Sequence, residues 1–307
     1  MKVLVTGGTG FLGQHLRGAF MPHTGDVSML YLGRNCDLTN RDQACATIEA
    51  FKPDVIIHAA AKCGGILANK NRPADFLRDN TQMALNIYEI ARVTNIKWVY
   101  SLGSVCAYPK YCQVPFKEDT IWDGPAEETN FPYGQAKRTL LMLGQTYRAQ
   151  YGIAGAHLIP VNLYGEHDHF DLNNSHVIPA LINKFTEAVE TGKTKVQCWG
   201  TGEATREFLY AGDAARAIVK AVMMGLDTDL PINLGTGTDI SIKDLASYIG
   251  QLTGFSGEIE FTGEVSDGQP KRRLDVTRAK EMLDFEAKTS LLDGLKRTIE
   301  WYKARKQ

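Results

Sequence analysis

The sequence predicts an α/β protein, a doubly wound parallel sheet with a smaller C-terminal α/β lobe. Three observations predict it. Short β-rich runs alternate with amphipathic helical stretches through the first half. A glycine-rich turn joins the first run to the first helical stretch, and the alternation loosens after about residue 163. A chain of 307 residues can hold two modest domains or one large domain with a satellite. We divide it at 1–163 and 164–307, with later segments crossing back to the first sheet.

The strands are expected at Lys2–Thr6, Ser28–Leu32, Asp54–His58, Lys97–Ser101 and Ala156–Asn162. Between them, Phe11–Phe20, Asn40–Phe51, Ala74–Thr94 and Tyr133–Tyr151 carry apolar residues at helical spacing. A polar loop, Gly165–Ser175, opens the second lobe. It continues with a helix, a short strand at Lys195–Trp199, a helix from Asp213, a strand at Ile232–Leu234 and a helix from Ser241. A strand at Glu258–Phe261 and a last helix at Leu291–Arg305 complete it.

Composition excludes several classes. Apolar residues at 44% and charged residues at 22% match a globular chain. The 34 basic and 35 acidic residues give a net charge of -1, so nothing draws the whole chain to nucleic acid or an anionic membrane. The N-terminal apolar run is too short for a signal peptide, and no stretch of about 18 apolar residues could span a bilayer. Six scattered cysteines without a CxxC pair suggest reduced thiols in a cytoplasmic setting, and no spacing suggests a metal site.

The turn Thr6-Gly7-Gly8-Thr9-Gly10-Phe11-Leu12-Gly13 follows a strand and opens a helix. Gly7 permits the tight turn, Gly10 lets the backbone approach a pyrophosphate, and Gly13 allows close packing of helix on strand. The helix N-terminus then receives the negative charge, which points to a dinucleotide. At the end of the second strand Arg34 stands where an acid would select NAD, and a guanidinium suits the 2′-phosphate of NADP(H). A solvated surface arginine is the ordinary alternative.

Tyr133 and Lys137 are four residues apart, on one helix face. A neighbouring ammonium should lower the phenol's pKa and can also hold the nicotinamide ribose. Tyr302 and Lys306 share the spacing, but at a basic helix end. Only the first pair has Ser104, which follows the fourth strand at the edge where ligands bind. Two hydroxyls can hold a carbonyl while one donates a proton as hydride arrives. With the glycine turn, this set resembles the extended branch of the short-chain dehydrogenase/reductase superfamily.

Six stretches narrow the resemblance to the GDP-L-fucose synthase family. They are Ala60–Ile66, Leu102–Lys110, Asn162–Gly165, Asn174–Pro179, Trp199–Gly202 with Arg206–Phe208, and Asp267–Pro270 with Leu274–Val276. The resemblance implies a GDP-sugar substrate, C3/C5 epimerisation followed by C4 reduction, and Cys106 and His176 as the epimerising pair. It implies that Asp37, Leu38, Ala60, Leu102, Lys137, Pro160, Asn162, Leu163 and His176 join the glycine turn around the cofactor. It also implies Lys184, Trp199, Arg206 and Asp267 as GDP-sugar contacts, and a homodimer seam on the helices Ala74–Thr94 and Tyr133–Tyr151.

The chemistry agrees with these roles. A C4 ketone acidifies the hydrogens on C3 and C5, and a thiol of pKa about 8.5 and an imidazole of about 6.5 can exchange them. Alone, Cys106 reads as a packed hydrophobe and His176 as a helix-start residue. Likewise Trp199 reads as core, Lys184 as a wet helix face, and Lys271-Arg272-Arg273 as a solvated charge run. Val105, Gly134-Gln135-Ala136 and Gly212 depart from the family pattern, the first two near the substrate pocket. Three rivals stand beside the main reading: a C4 reductase of another GDP-4-keto sugar such as a heptose, an idle NADPH-binding sensor, and a metal cluster of His167, Asp168, His169 and His176.

Overall fold

The computed structural model describes residues 1–171, 175–263 and 268–306, the side chains of residues 66 and 67 excepted. Its strands are β1 (Lys2–Thr6), β2 (Ser28–Leu32), β3 (Val55–His58), β4 (Trp98–Leu102), β5 (His157–Pro160), β6 (Asn162–Tyr164), β7 (Lys195–Cys198), β8 (Thr205–Arg206), β9 (Phe208–Tyr210), β10 (Ile232–Leu234), β11 (Ile240–Ser241), β12 (Glu258–Phe261) and β13 (Lys271–Arg272). The helices are α1 (Phe11–Phe20), α2 (Arg41–Phe51), α3 (Ile66–Asn71), α4 (Pro73–Val93), α5 (Phe131–Tyr151), α6 (Val177–Thr191), α7 (Ala211–Met223), α8 (Ile242–Thr253), α9 (Thr277–Leu283) and α10 (Leu291–Lys306). No described helix is long and apolar enough to cross a membrane.

Six strands form one parallel sheet in the order β10-β5-β4-β3-β1-β2. Its centre is written in Val3-Leu4-Val5 and Val55-Ile56-Ile57, which are buried because helices cover both faces. One core layer joins Val3, Val5, Ile57, Tyr100 and Leu158 to α1 and α7; the other joins Leu4, Ile56 and Val99 to α2, α4 and α5. Helix starts follow local signals: the Asn40 side chain accepts from the Gln43 N–H, Pro73 opens α4, and Ser241 accepts from the Asp244 N–H. The fold class is the one expected from the sequence.

The expected strand Ala156–Asn162 is in fact two. Pro160 has no N–H to extend the ladder, and beyond it the chain leaves the large sheet to pair β6 with β9. In return β10 rejoins the large sheet beside β5, so both halves of the chain build it. The second lobe packs α6, α8 and α10 around Ile182, Phe185, Leu245, Ile249 and Leu295. Glu207 ties the turn after β10 to the segment after β13: fully buried, its carboxylate accepts from the N–H groups of Thr236, Gly237 and Leu274. A side chain at Gly235 would collide with it, a Cβ there lying 2.3 Å from Oε1.

Candidate active site

The glycine turn has the shape its spacing implies. Gly7 takes φ 68°, and a Cβ there would sit 2.9 Å from the Ala60 Cα. A Cβ on Gly13 would come 2.4 Å from the Gly7 carbonyl oxygen. Gly10 donates its N–H to that oxygen at 2.9 Å and begins α1 with no side-chain cap. The helix start is thus a backbone cradle with no side chain in competition, which fits a pyrophosphate. Thr9 lies against Gly33, whose added Cβ would sit 2.2 Å from Thr9 Oγ1. Phe11 and Leu12 begin the helix half-buried, and Ala60 donates its N–H to the Thr6 hydroxyl.

Arg34 projects into solvent just past β2 and makes no ion pair among the described residues. Asp37 is committed locally: the Thr39 hydroxyl and N–H bond its carboxylate and lower its pKa. Leu38 is buried in the core layer beneath α2 and α4. Leu102 and Pro160 end β4 and β5, and Asn162 and Leu163 lie in β6, with the Asn162 amide donating to the Glu207 carbonyl. Leu102 and Pro160 are carboxyl ends of strands, where an open parallel sheet forms its ligand crevice, and Asn162 and Leu163 follow just beyond the second.

Ser104, Cys106, Tyr133 and Lys137 meet above β4. Ser104 accepts the Cys106 N–H at 3.2 Å, and its neighbouring hydroxyl opposes the rise in the Tyr133 phenol's pKa. Lys137, 5% exposed, donates to the Leu102 carbonyl at 2.8 Å and stands 5.8 Å from the Tyr133 ring centroid. Gly134 explains one departure in the sequence. Its added Cβ would lie 2.4 Å from the Cys106 carbonyl oxygen, so the glycine lets α5 close against the thiol's turn.

The expectation that Lys137 lowers the phenol's pKa needs correction. Burial raises Tyr133 well above the usual range, and the neighbouring Cys63 and Cys106 thiols add to the rise. Burial also lowers Lys137, partly offset by the same two thiols. Desolvation beats the ammonium here, and Tyr133 is kept as a phenol. Beneath the set lie His58 and His157, each buried and pushed to about 3, first by burial and then by the charge of Lys137. Their Nδ1 atoms lie 2.9 Å from the Thr6 hydroxyl and 2.8 Å from the Ser101 hydroxyl.

The reading of Lys271-Arg272-Arg273 as a solvated run is also corrected. Lys271 and Arg273 pair with Asp239, but Arg272 is only 6% exposed and donates to the Cys106 sulfur at 3.7 Å. His176 is exposed at the N-cap of α6; desolvation, ahead of the charge of His169, lowers its pKa. No contact joins it to Cys106 among the described residues. The His167 ring lies tilted at 58° to the Trp301 ring with centroids 5.0 Å apart, and Asp168, pushed to about 7 by burial, accepts the His169 N–H.

Two of the substrate candidates form one surface. Lys184 donates to the Gln197 carbonyl and stands 4.8 Å above the Trp199 ring, which is 51% exposed and so not core. Arg206 pairs in register with Arg272 on β13, which links this wall to the thiol. Asp267 and Asn174 lie outside the described residues. Gly212 is required by sterics, since an added Cβ would sit 2.6 Å from the Tyr210 ring. The acid beside it, Asp213, instead accepts the N–H groups of Lys288 and Thr289. Sequence reasoning gave no role to Cys63, which touches Tyr133, or to Arg272.

A parallel sheet, a dinucleotide cradle and a Ser–Tyr–Lys set at the strand ends define an oxidoreductase of the extended short-chain type. The chain belongs to the NAD dependent epimerase/dehydratase family, whose model matches residues 3–235. It is 41% identical over 264 residues to a GDP-L-fucose synthase of Sinorhizobium fredii, covering 86% of this chain and 83% of that one. It superposes on a GDP-6-OMe-4-keto-L-xylo-heptose reductase from C. jejuni with TM-score 0.92 and 27% identity, over 99% and 98% of the two chains. It superposes on an NADP-bound GDP-L-fucose synthetase from Naegleria fowleri with TM-score 0.90 and 29% identity, over 99% and 94%.

Proposed function

We propose that this chain is an NADPH-dependent enzyme that converts GDP-4-keto-6-deoxy-D-mannose to GDP-L-fucose, inverting C3 and C5 and then reducing the C4 ketone. The observation that carries the reading is the meeting of the Tyr133 phenol with Ser104 and Cys106: groups for reduction and for proton exchange share one site. The likeness to GDP-L-fucose synthases supports the substrate.

In this reading Cys106 and His176 form the proton-transferring pair. One takes a proton from carbon while the C–H electron pair moves toward O4, and the other protonates the opposite face. Tyr133 and Ser104 donate hydrogen bonds to O4 and hold its charge. Tyr133, kept protonated by burial, then gives O4 its proton. NADPH, when bound, supplies the hydride for C4. The Gly7–Gly13 turn holds its pyrophosphate, Arg34 its 2′-phosphate and Lys137 its nicotinamide ribose. Trp199 and Lys184 receive the guanine and Arg206 the diphosphate.

The test is incubation with NADPH and GDP-4-keto-6-deoxy-D-mannose, with the product identified by NMR. GDP-L-fucose supports the reading; turnover that leaves C3 and C5 unchanged rejects it. The likeness to the heptose reductase, with Val105 and Gly134 beside the pocket, favours a second reading: C4 reduction of another GDP-4-keto sugar or heptose. Retained stereochemistry in the product would select it.

The proposal includes a cytoplasmic homodimer. Six free thiols support a reducing compartment. Leu77, Leu85 and Val93 on α4 and Met142 and Tyr151 on α5 are exposed on two helices packed together, which supports a seam with a second copy. A monomer by light scattering would remove the dimer.

A further inference from the structure

Arg272 has no role in a simple epimerase/reductase scheme, yet it is built into the site. Its Nε donates to the Gln269 side-chain oxygen at 3.2 Å, and its Nη1 donates to the Cys106 sulfur at 3.7 Å. Gln269 in turn donates to the carbonyls of Pro109 and Lys110, in the segment that follows Cys106. The guanidinium is therefore fixed by the same stretch of chain that carries the thiol. Its neighbours Lys271 and Arg273 are occupied by Asp239, leaving Arg272 as the member of the triplet that faces the sulfur. An arginine this buried is costly unless its charge has work near by, and it cannot shed its proton.

We propose that Arg272 is a positioning residue for Cys106, orienting the sulfur and holding its negative charge when the proton is on carbon. The inference rests on the proposed epimerisation. As a base, the thiolate forms an S–H bond with a lone pair while the sugar C–H bond breaks and that electron pair moves to O4. As an acid, it runs the reverse and is left as the anion. Both directions pass through a sulfur anion, to which Arg272 can donate a charge-assisted hydrogen bond.

The experiment compares the native protein with Arg272→Gln and Arg272→Lys in two assays at fixed pH. In the first, iodoacetamide alkylation is followed on the Cys106 and Cys63 peptides by mass spectrometry. Loss of one hydrogen bond to a charged group predicts a roughly ten- to hundredfold slower reaction at Cys106 in Arg272→Gln, with recovery in Arg272→Lys and no change at Cys63. In the second, solvent deuterium uptake at C3 and C5 of GDP-4-keto-6-deoxy-D-mannose should fall in parallel. Unchanged alkylation of Cys106 in Arg272→Gln overturns the inference. A native protein that takes up no deuterium overturns the proposed epimerisation instead, while the alkylation result still decides the Arg272–Cys106 relationship. If Arg272→Gln does not fold, Gln269→Met releases the guanidinium and leaves its charge in place; the same selective slowing supports the inference, and its absence rejects it.

Discussion

The sulfur of Cys63 stands 3.3 Å from the phenolic oxygen of Tyr133. The thiol arrives on the loop after β3 and the phenol on α5, so the contact joins two elements far apart in the chain. Cys63 is one of the groups that raise the phenol's pKa. We predict that Tyr133→Phe, which removes the proton donor, lowers the rate of NADPH oxidation by roughly a hundredfold to ten-thousandfold. Cys63→Ala removes a neighbour and should cost less than about tenfold. An equal loss in the two variants would show that the thiol shares the proton-donating role.

Cys106→Ser and His176→Asn test the epimerising pair. Each should block solvent deuterium uptake at C3 and C5, because a hydroxyl is a far weaker acid than a thiol and an amide is neither a useful acid nor a useful base near neutral pH. Both variants should still bind NADPH, because the glycine cradle is backbone. Normal deuterium uptake in both would remove the pair from the mechanism.

Much of this was legible because it depends on local pattern. Val3-Leu4-Val5 and Val55-Ile56-Ile57 announce buried parallel strands, and the turn at Gly7 can be read from spacing alone. Ser104, Tyr133 and Lys137 could be joined because each sits at a defined place on a strand end or helix face. What stayed hidden depends on distance in the chain. Cys63 and Tyr133 are 70 positions apart, and Arg272 and Cys106 are 166 apart. A charged triplet is normally solvated, and nothing local says that its middle member turns inward. The protonation of the phenol is hidden for a related reason: spacing shows the ammonium of Lys137, but only packing shows the desolvation that outweighs it.

Arg34 provides the test of cofactor choice. Its guanidinium is exposed at the end of β2 with no partner ion among the described residues, so it is available to a 2′-phosphate. A charge-assisted contact of this kind gives roughly ten- to hundredfold in affinity. NADPH should therefore bind that much more tightly than NADH, and Arg34→Ala should weaken NADPH binding and leave NADH binding nearly unchanged. Fluorescence titration measures both dissociation constants; equal affinities in the native protein would remove Arg34 from recognition.

His58 and His157 predict how stability depends on pH. Both are pushed down to about 3, first by burial and then by Lys137, whereas an unfolded histidine titrates near 6.5. Between those values the unfolded chain binds protons that the folded chain refuses, so these two sites reduce stability as pH falls through the window from about 6.5 to about 3. Each contributes a slope of up to about 1.4 kcal/mol per pH unit, and the two together up to about twice that. The Thr6 hydroxyl, which accepts the Ala60 N–H, also lies 2.9 Å from His58 Nδ1 and satisfies that nitrogen of the buried ring. Denaturant midpoints measured from pH 7 to 4 should fall steadily, and His157→Gln should flatten the fall by about half. An unchanged slope in that variant would mean that the acid sensitivity arises elsewhere, in carboxylates such as Asp79 and Asp227 whose salt bridges hold their pKa values low.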